Sequence, residues 1–246
     1  MKKAKTQFVN ARVNVMNASE QKACEEIIFA LAKMSKYNYK ILLYEKKKAS
    51  EKYKITMISN PMLLVVYQKL VKNKKIKRNI DLEELFRKRR IRTSSGIASV
   101  AVLTKPFPCP GKCVYCPTQE NVPKSYIDNE PAVMRAILAG YDPVKQMQIR
   151  LRGFELAGNP ADKIELIVMG GTFSYLPRKY QVWFILSCFM AANHNQVKSE
   201  KLKVKSKNLK LKIKTQKQLL EMLRKEQKKN EKAKYRIIGL TLETRP

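Results

Sequence analysis

The first ninety residues of the chain space their apolar side chains as amphipathic helices do. In residues 17–36 an apolar side chain recurs every three or four positions, at Ala23, Ile27, Leu31 and Met34. This spacing predicts a helix with one buried face, and Ser19 is its predicted N-cap residue. Further helices are predicted over residues 60–71, which open on an Asn-Pro pair, and over residues 81–92. Residues 1–90 are therefore predicted to form a small helical module.

From residue 96 onward, short β-branched apolar runs alternate with helical segments. Predicted strands occupy residues 97–103, 164–169 and 236–242, and predicted helices occupy residues 130–138, 142–156, 177–193 and 216–232. Continuous apolar runs of this length are typical of buried strands in a parallel sheet. The alternation predicts an α/β fold, either a parallel barrel or a doubly wound sheet, of which residues 91–246 supply the first three strands.

Positive charge is concentrated in two parts of the chain. The net charge is +31; residues 1–95 hold 24 Lys and Arg against 8 Asp and Glu, and residues 196–235 hold 15 against 4. Such an excess favours a polyanionic partner such as nucleic acid, although a generally lysine-rich proteome would produce a similar excess. The lysine-rich insert at about residues 196–215 is interpreted as a solvated tether, with a two-stranded ribbon as the alternative.

Hydropathy and cysteine use limit the classes of protein to which the chain can belong. The longest apolar run, residues 183–192, is much shorter than the roughly 20 residues that cross a bilayer. The N-terminus lacks the apolar segment of a secretory signal, and five unevenly spaced cysteines do not form a disulfide framework. We therefore expect a cytoplasmic protein without a membrane partner.

Three cysteines lie in the stretch KPFPCPGKCVYCPTQ, directly after the first predicted strand. The spacing is C-x3-C-x2-C, at Cys109, Cys113 and Cys116. A structural zinc site needs four protein ligands, and paired spacing is missing from the remaining candidates, Cys24, Cys188 and His194. A [4Fe–4S] cluster can instead be held by three thiolates that leave one iron open. The cluster is the favoured interpretation; a zinc site and buried thiols are the alternatives.

An open iron can chelate the amine and carboxylate of S-adenosylmethionine, as it does in the radical enzymes that cleave this cofactor to a 5′-deoxyadenosyl radical. The cysteine loop follows the first strand, at the edge where barrel active sites lie. Tyr115 precedes the last cysteine, where these enzymes place an aromatic residue. The second strand ends in Gly170, Gly171 and Thr172, and glycines would let the backbone approach the methionyl group.

Four longer stretches resemble one family. They are RTSSGIASVAVLTKPFPCPGKCVYCP, VPKSYIDNEPAVMRAILAGYDPVKQ, DKIELIVMGGTF and GLTLETRP, and they are similar to the catalytic subunit of Elongator and its single-protein archaeal and bacterial relatives. The resemblance covers roughly residues 85–195 and 230–246. It implies a radical S-adenosylmethionine (β/α) partial barrel, and a tRNA acyltransferase that uses acetyl-CoA to form 5-carboxymethyluridine at the anticodon wobble uridine.

The resemblance also assigns roles to single residues. It implies cluster ligation by Cys109, Cys113 and Cys116, and S-adenosylmethionine contacts from Tyr115, Gly170, Gly171, Thr172, Glu243 and Arg245. Lys105 is a candidate catalytic residue, with a plain lysine at a strand end as the alternative. Contacts to tRNA phosphates are expected from Lys74, Lys75, Lys77, Arg78, Arg87, Lys88, Arg89 and Arg90, and the alternative is a solvated charged face. Packing is favoured over base stacking for Tyr39, Tyr44, Tyr53 and Tyr67.

The sequence departs from the family pattern in two ways, in the residues around the cysteine loop and in the length of chain that it covers. Pro117-Thr118-Gln119 replaces the usual Pro-Gly-Gly after the last cysteine, and Lys124-Ser125-Tyr126 replaces Gln-Ser-Tyr. The rest of the barrel and the acetyl-CoA domain do not occur in the chain, so we expect the front part of a longer protein. An electron donor is implied, and a homodimer or other subunits remain open. The alternatives are a non-catalytic tRNA-binding module with a structural cluster, and another radical enzyme such as a methylthiotransferase.

Overall fold

The computed structural model describes residues 16–87, 93–111, 113–194 and 215–244. Four of the predicted site residues lie outside these ranges, namely Lys88, Arg89, Arg90 and Arg245, as does nearly all of the lysine-rich insert. The chain forms two compact units, one made of Met1–Ser94 and Arg152–Pro160 and the other of Ser95–Leu151 and Ala161–Pro246. No helix within the described ranges combines the length and the hydropathy that a membrane crossing requires.

The first unit is helical, as its apolar spacing predicts. Its helices are α1 (Ala18–Ala32), α2 (Tyr39–Lys52), α3 (Asn60–Lys72) and α4 (Ile80–Phe86). Asn17, and not the predicted Ser19, caps α1, because its side chain accepts a hydrogen bond from the amide of Glu20 while the Glu20 carboxylate accepts one from the amide of Asn17. The buried faces of the helices share one apolar core, to which α1 contributes Ala23, Ile27 and Leu31, as predicted.

Helix α2 is the element that the hydrophobic pattern did not predict. Its sequence, YKILLYEKKKASEK, is rich in lysine, and its buried face includes Lys46 beside Leu42; a lysine can bury its long aliphatic stem in this way. Two of the four tyrosines interpreted as packing residues, Tyr39 and Tyr44, remain 63% and 64% exposed on this helix, whereas Tyr67 lies in the core. The exposed rings are available for contact with a partner.

The second unit is built on a parallel sheet. Strands β1 (Ala98–Leu103), β2 (Lys163–Met169) and β3 (Arg236–Leu242) pair in the order β1-β2-β3. The helices along this part of the chain are α5 (Pro131–Leu138), α6 (Pro143–Leu156), α7 (Arg178–Asn193) and α8 (Gln216–Asn230); the last residues of α6 belong to the first unit. Leu103 lies opposite Met169, and Val168 opposite Leu242, so the three strands end at one edge. The predicted α/β class is confirmed; closure into a partial barrel stays a prediction.

Gln146 on α6 holds the end of β1 that leads into the cysteine loop. Its buried side-chain amide donates a hydrogen bond to the carbonyl of Leu103 (2.9 Å) and accepts one from the amide of Leu103 (2.8 Å). Replacement by leucine would leave both backbone groups of the fully buried Leu103 without a partner.

We expect Gln146→Leu to lower the free energy of unfolding by about 2–6 kcal/mol, because each of the two buried unpaired groups costs about 1–3 kcal/mol. Urea unfolding followed by circular dichroism measures this change. Gln148→Leu, at a half-buried position of the same helix, is the matched control and should shift stability by less than about 0.5 kcal/mol. Equal losses in the two variants would contradict the assigned role of Gln146.

Candidate functional site

The candidate site lies where the three parallel strands end. Thr104 follows β1, Gly170 follows β2 and Glu243 follows β3. The backbone hydrogen bonds continue past the strands, since Thr104 N donates to Met169 O (3.0 Å) and Glu243 N donates to Val168 O (2.9 Å). The register therefore gathers polar residues and glycines at the carboxyl edge of the sheet, where α/β proteins bind their ligands.

The turn after β2 requires glycine at two successive positions. Gly170 has φ +129° and Gly171 has φ +87°, a region that residues with side chains rarely adopt. A Cβ atom on Gly170 would lie 2.2 Å from Oγ1 of Thr104, and one on Gly171 would lie 3.6 Å from the carbonyl oxygen of Lys124. The turn thus packs its bare backbone against the end of β1 and against the loop that follows the cysteines.

The Glu243 carboxylate joins this turn to the same loop. Its Oε2 atom accepts hydrogen bonds from the Tyr126 hydroxyl (2.5 Å), from Gly170 N (3.0 Å) and, at a longer distance, from Gly171 N (3.4 Å). Burial, together with the neighbouring Glu243 carboxylate, raises the pKa of the Tyr126 phenol. Tyr126 therefore keeps its proton and acts as a donor, so the carboxylate is held by three donors from two segments.

Two hydroxyl groups face sulfur atoms of the cysteine loop. The Ser125 hydroxyl lies 3.1 Å from Sγ of Cys116, and the Thr172 hydroxyl lies 3.7 Å from Sγ of Cys109. Within the loop, Cys116 N donates to the carbonyl of Cys113 (3.2 Å). The loop is therefore attached to both the glycine turn and the segment around Ser125.

One open cavity collects most of these groups. The residues that line it are Cys109, Gly111, Cys113, Tyr115, Cys116, Lys124, Ser125, Gly171, Thr172, Glu243 and Thr244. It thus brings together the three predicted cluster ligands and four of the six predicted S-adenosylmethionine contacts. Within the described ranges, no three histidine, cysteine or acidic side chains come close enough to hold a single metal ion. The donor set consists of three partly exposed thiols, which is the ligand chemistry of an iron–sulfur cluster, in which each thiolate binds a different iron.

The other two cysteines are buried in the cores of the units. Burial raises the pKa of the Cys24 thiol to about 12 and raises the pKa of the Cys188 thiol as well. Both thiols are buried, and neither lines the cavity that holds the three loop cysteines. This agrees with the spacing, which groups Cys109, Cys113 and Cys116 and sets Cys24 and Cys188 apart.

The exposed tip of the loop and Lys105 have different surroundings. Val114 and Tyr115 are large side chains that stay almost fully exposed, and Tyr115 lines the cavity. Lys105 is not among the described residues that line it; its ammonium group lies over the rings of Phe107 (5.1 Å to the centroid) and Tyr180 (5.3 Å). The structure therefore gives Lys105 aromatic neighbours but no contact with the cysteine cavity.

The predicted tRNA contacts of the first unit differ in accessibility. Lys74, Lys75 and Lys77 are exposed around the turn after α3. Arg78 is also exposed, but it forms a bidentate ion pair with Glu83, at 2.9 and 3.0 Å. Arg87 is half-buried, and its Nε atom is buried without a hydrogen-bond partner in the described structure. The three lysines are thus the most accessible of the predicted contacts.

Ser125 and Thr104 were not predicted as functional, and neither were Gly111, Lys124 and Thr244, which also line the cavity. Ser125 has φ +76°, a region for which serine has no particular preference, and the signal that could have found it is the serine of the Gln-Ser-Tyr pattern, which this chain keeps. Thr104 is buried, and its Oγ1 atom has no hydrogen-bond partner among the described residues. A polar residue directly after a buried strand was the signal that could have drawn attention to Thr104.

Comparison with curated proteins finds relatives, although no family model matches the chain. The chain is 41% identical over 168 residues to the tRNA uridine(34) acetyltransferase of Methanocaldococcus infernus, a match that covers 66% of this chain and 27% of the relative. It is 33% identical over 240 residues to Elongator complex protein 3 of Schizosaccharomyces pombe, covering 92% of this chain and 39% of the relative.

A solved structure, the M. infernus Elp3 with an N-terminal deletion, is 32% identical and covers 61% of this chain and 23% of that chain, at a TM-score of 0.38. That score is too low to establish a common arrangement. The chain spans between about a quarter and two fifths of the length of the two curated relatives. Over the part that it matches, the chain belongs to the family of Elongator complex protein 3 and the tRNA uridine(34) acetyltransferases.

Proposed function

We propose that the cysteine cavity binds a [4Fe–4S] cluster and S-adenosylmethionine, and that the chain serves carboxymethylation of the wobble uridine of tRNA with acetyl-CoA as cosubstrate. One observation carries this proposal: the three loop cysteines line the same cavity as the backbone of the glycine turn. The family relation supports it, because a tRNA uridine(34) acetyltransferase is among the relatives.

Each part of the cavity has a role in this proposal. Cys109, Cys113 and Cys116 would hold the cluster, which would supply the electron for cleavage of S-adenosylmethionine. The bare backbone of Gly171 lets the methionyl group approach closely. The exposed ring of Tyr115 offers a face to the adenosyl group.

Reconstitution of the chain with iron and sulfide in the absence of oxygen tests the proposal. The reduced protein should convert S-adenosylmethionine to 5′-deoxyadenosine, detected by chromatography, and the Cys109→Ala/Cys113→Ala/Cys116→Ala variant should form none. Cys188→Ala is the matched control, since it removes a thiol that lies outside the cavity. A colourless protein that binds one zinc ion and releases no 5′-deoxyadenosine would contradict the proposal.

The first unit is proposed to bind tRNA through phosphate contacts. The basic excess of residues 1–95 and the exposed lysines around the turn after α3 support this proposal. Contacts of this kind release condensed counterions and do not read base sequence.

We expect the Lys74→Ala/Lys75→Ala/Lys77→Ala variant to bind tRNA more weakly and with a salt dependence whose logarithmic slope is smaller by about 2–3, about one for each lost contact. Fluorescence anisotropy with labelled tRNA at several salt concentrations measures the slope. The control removes the same charge from α8, at the exposed Lys217, Lys225 and Lys228. Equal slopes in the two triple variants would show that net charge, and not this surface, determines binding.

A further inference from the structure

The three residues Lys124, Ser125 and Tyr126 connect the cysteine loop to the glycine turn. The carbonyl of Lys124 faces Gly171, the hydroxyl of Ser125 faces Cys116, and the hydroxyl of Tyr126 donates to Glu243. Ser125, the middle residue, makes the most direct contact with a proposed cluster ligand, since its hydroxyl oxygen lies 3.1 Å from Sγ of Cys116.

Ser125 reaches this sulfur from an unfavourable backbone conformation. Its φ of +76° is uncommon for a residue other than glycine, and such outliers persist where the surrounding structure imposes them. Two backbone hydrogen bonds do so here: Ser125 N donates to Pro117 O (3.2 Å), and Tyr126 N donates to Pro123 O (3.3 Å). The carbonyl that accepts the first bond belongs to Pro117, the residue after Cys116. This bond therefore closes a short loop that holds the Ser125 hydroxyl beside the Cys116 sulfur.

The direction of the hydrogen bond follows from the state of the sulfur. A cysteine that binds iron does so as a thiolate and has no proton to donate, so the Ser125 hydroxyl must be the donor. Hydrogen bonds to the sulfur ligands are one of the means by which proteins set the reduction potential of an iron–sulfur cluster. A donor stabilises the more negative, reduced state more strongly than the oxidised state, and so raises the potential.

We propose that Ser125 is a positioning residue that holds Sγ of Cys116 by a hydrogen bond and raises the reduction potential of the cluster. This rests on the proposed function, because it requires that the loop carry the cluster. Thr172 makes a longer contact to Cys109 (3.7 Å) and has the weaker effect of the two.

The test compares Ser125→Ala and Ser125→Gly with the wild-type chain after reconstitution. Alanine removes the hydroxyl and keeps the backbone cost of a positive φ, whereas glycine removes both, so a change common to the two variants comes from the hydroxyl. Ser174→Ala is the control, since the Ser174 hydroxyl contacts Thr244 at the same edge of the sheet and no sulfur.

The readout is the potential at which half of the cluster is reduced, followed by electron paramagnetic resonance in samples poised with redox mediators. Both Ser125 variants should have a more negative potential than wild type, by more than the difference between wild type and Ser174→Ala. Lower iron content in both variants at an unchanged circular dichroism spectrum would support the positioning role. An unchanged potential at full iron content overturns the inference alone, whereas failure of the wild-type chain to take up iron overturns the proposed function as well.

Discussion

Gly170→Ala should lower the free energy of unfolding by about 2–6 kcal/mol, because it combines two costs. The new Cβ atom would lie 2.2 Å from Oγ1 of Thr104, on a backbone with φ +129°. Overpacking a tight site typically costs about 1–3 kcal/mol, and a residue with a side chain in a sparsely populated φ region costs about 1–3 kcal/mol more. Urea unfolding followed by circular dichroism measures the sum.

Two further variants separate these costs. Gly140 also has a positive φ, +60°, but nothing lies within 4 Å of an added Cβ atom, so Gly140→Ala should show only the backbone cost of about 1–2 kcal/mol. Thr104→Ala removes the clashing hydroxyl, which has no hydrogen-bond partner among the described residues, and should restore part of the stability of Gly170→Ala. If Gly170→Ala lowers the free energy of unfolding no more than Gly140→Ala does, the result would contradict the close packing of the turn against the end of β1.

Glu243→Ala should have the second large effect, because it removes the acceptor of three hydrogen bonds. The amides of Gly170 and Gly171 and the buried hydroxyl of Tyr126 would lose their common partner. The buried Tyr126 hydroxyl left unpaired costs about 1–3 kcal/mol, and the two half-buried glycine amides add a smaller cost, so we expect a loss of about 2 kcal/mol or more in the free energy of unfolding. Binding of S-adenosylmethionine to the reconstituted chain should weaken as well, since the turn loses its anchor.

A double-mutant cycle tests whether this effect passes through Tyr126. Tyr126→Phe keeps the ring and removes the donor, so the two losses should not add, and the coupling free energy should be about 1 kcal/mol or more. Glu243→Gln retains one oxygen acceptor and is expected to cost less than Glu243→Ala. Strictly additive losses from Tyr126→Phe and Glu243→Ala would contradict the bonded arrangement.

The elements that the sequence predicts well are those with a strong apolar period. All three strands and most helices occur near their predicted residues, because continuous β-branched runs and one-sided apolar faces have few alternative structures. Helix α2 was not predicted because a lysine interrupts its buried face, which consists of Leu42, Lys46 and Ala49, and because its start depends on capping by Asn38. Tertiary packing thus decides the structure where the local pattern is weak.

The residues of the candidate site also differ in how well the sequence predicts them. The cysteine spacing and the two glycines mark Cys109, Cys113, Cys116 and the turn, because these residue types have few other uses in that pattern. Tyr126, one of the three partners of Glu243, lies 117 positions away in sequence, so no local pattern marks this pair. Arg78 shows the opposite case: its charge predicts a phosphate contact, but the structure pairs it with Glu83.

The central claim is that the proposed cluster keeps one iron without a protein ligand and that S-adenosylmethionine binds there. The most direct measurement is the electron paramagnetic resonance spectrum of the reduced, reconstituted chain with and without S-adenosylmethionine. We expect added S-adenosylmethionine to change the spectrum, since a new ligand at one iron alters the electronic structure of the whole cluster. A spectrum that stays the same at saturating cofactor, with the cluster intact, would contradict the claim.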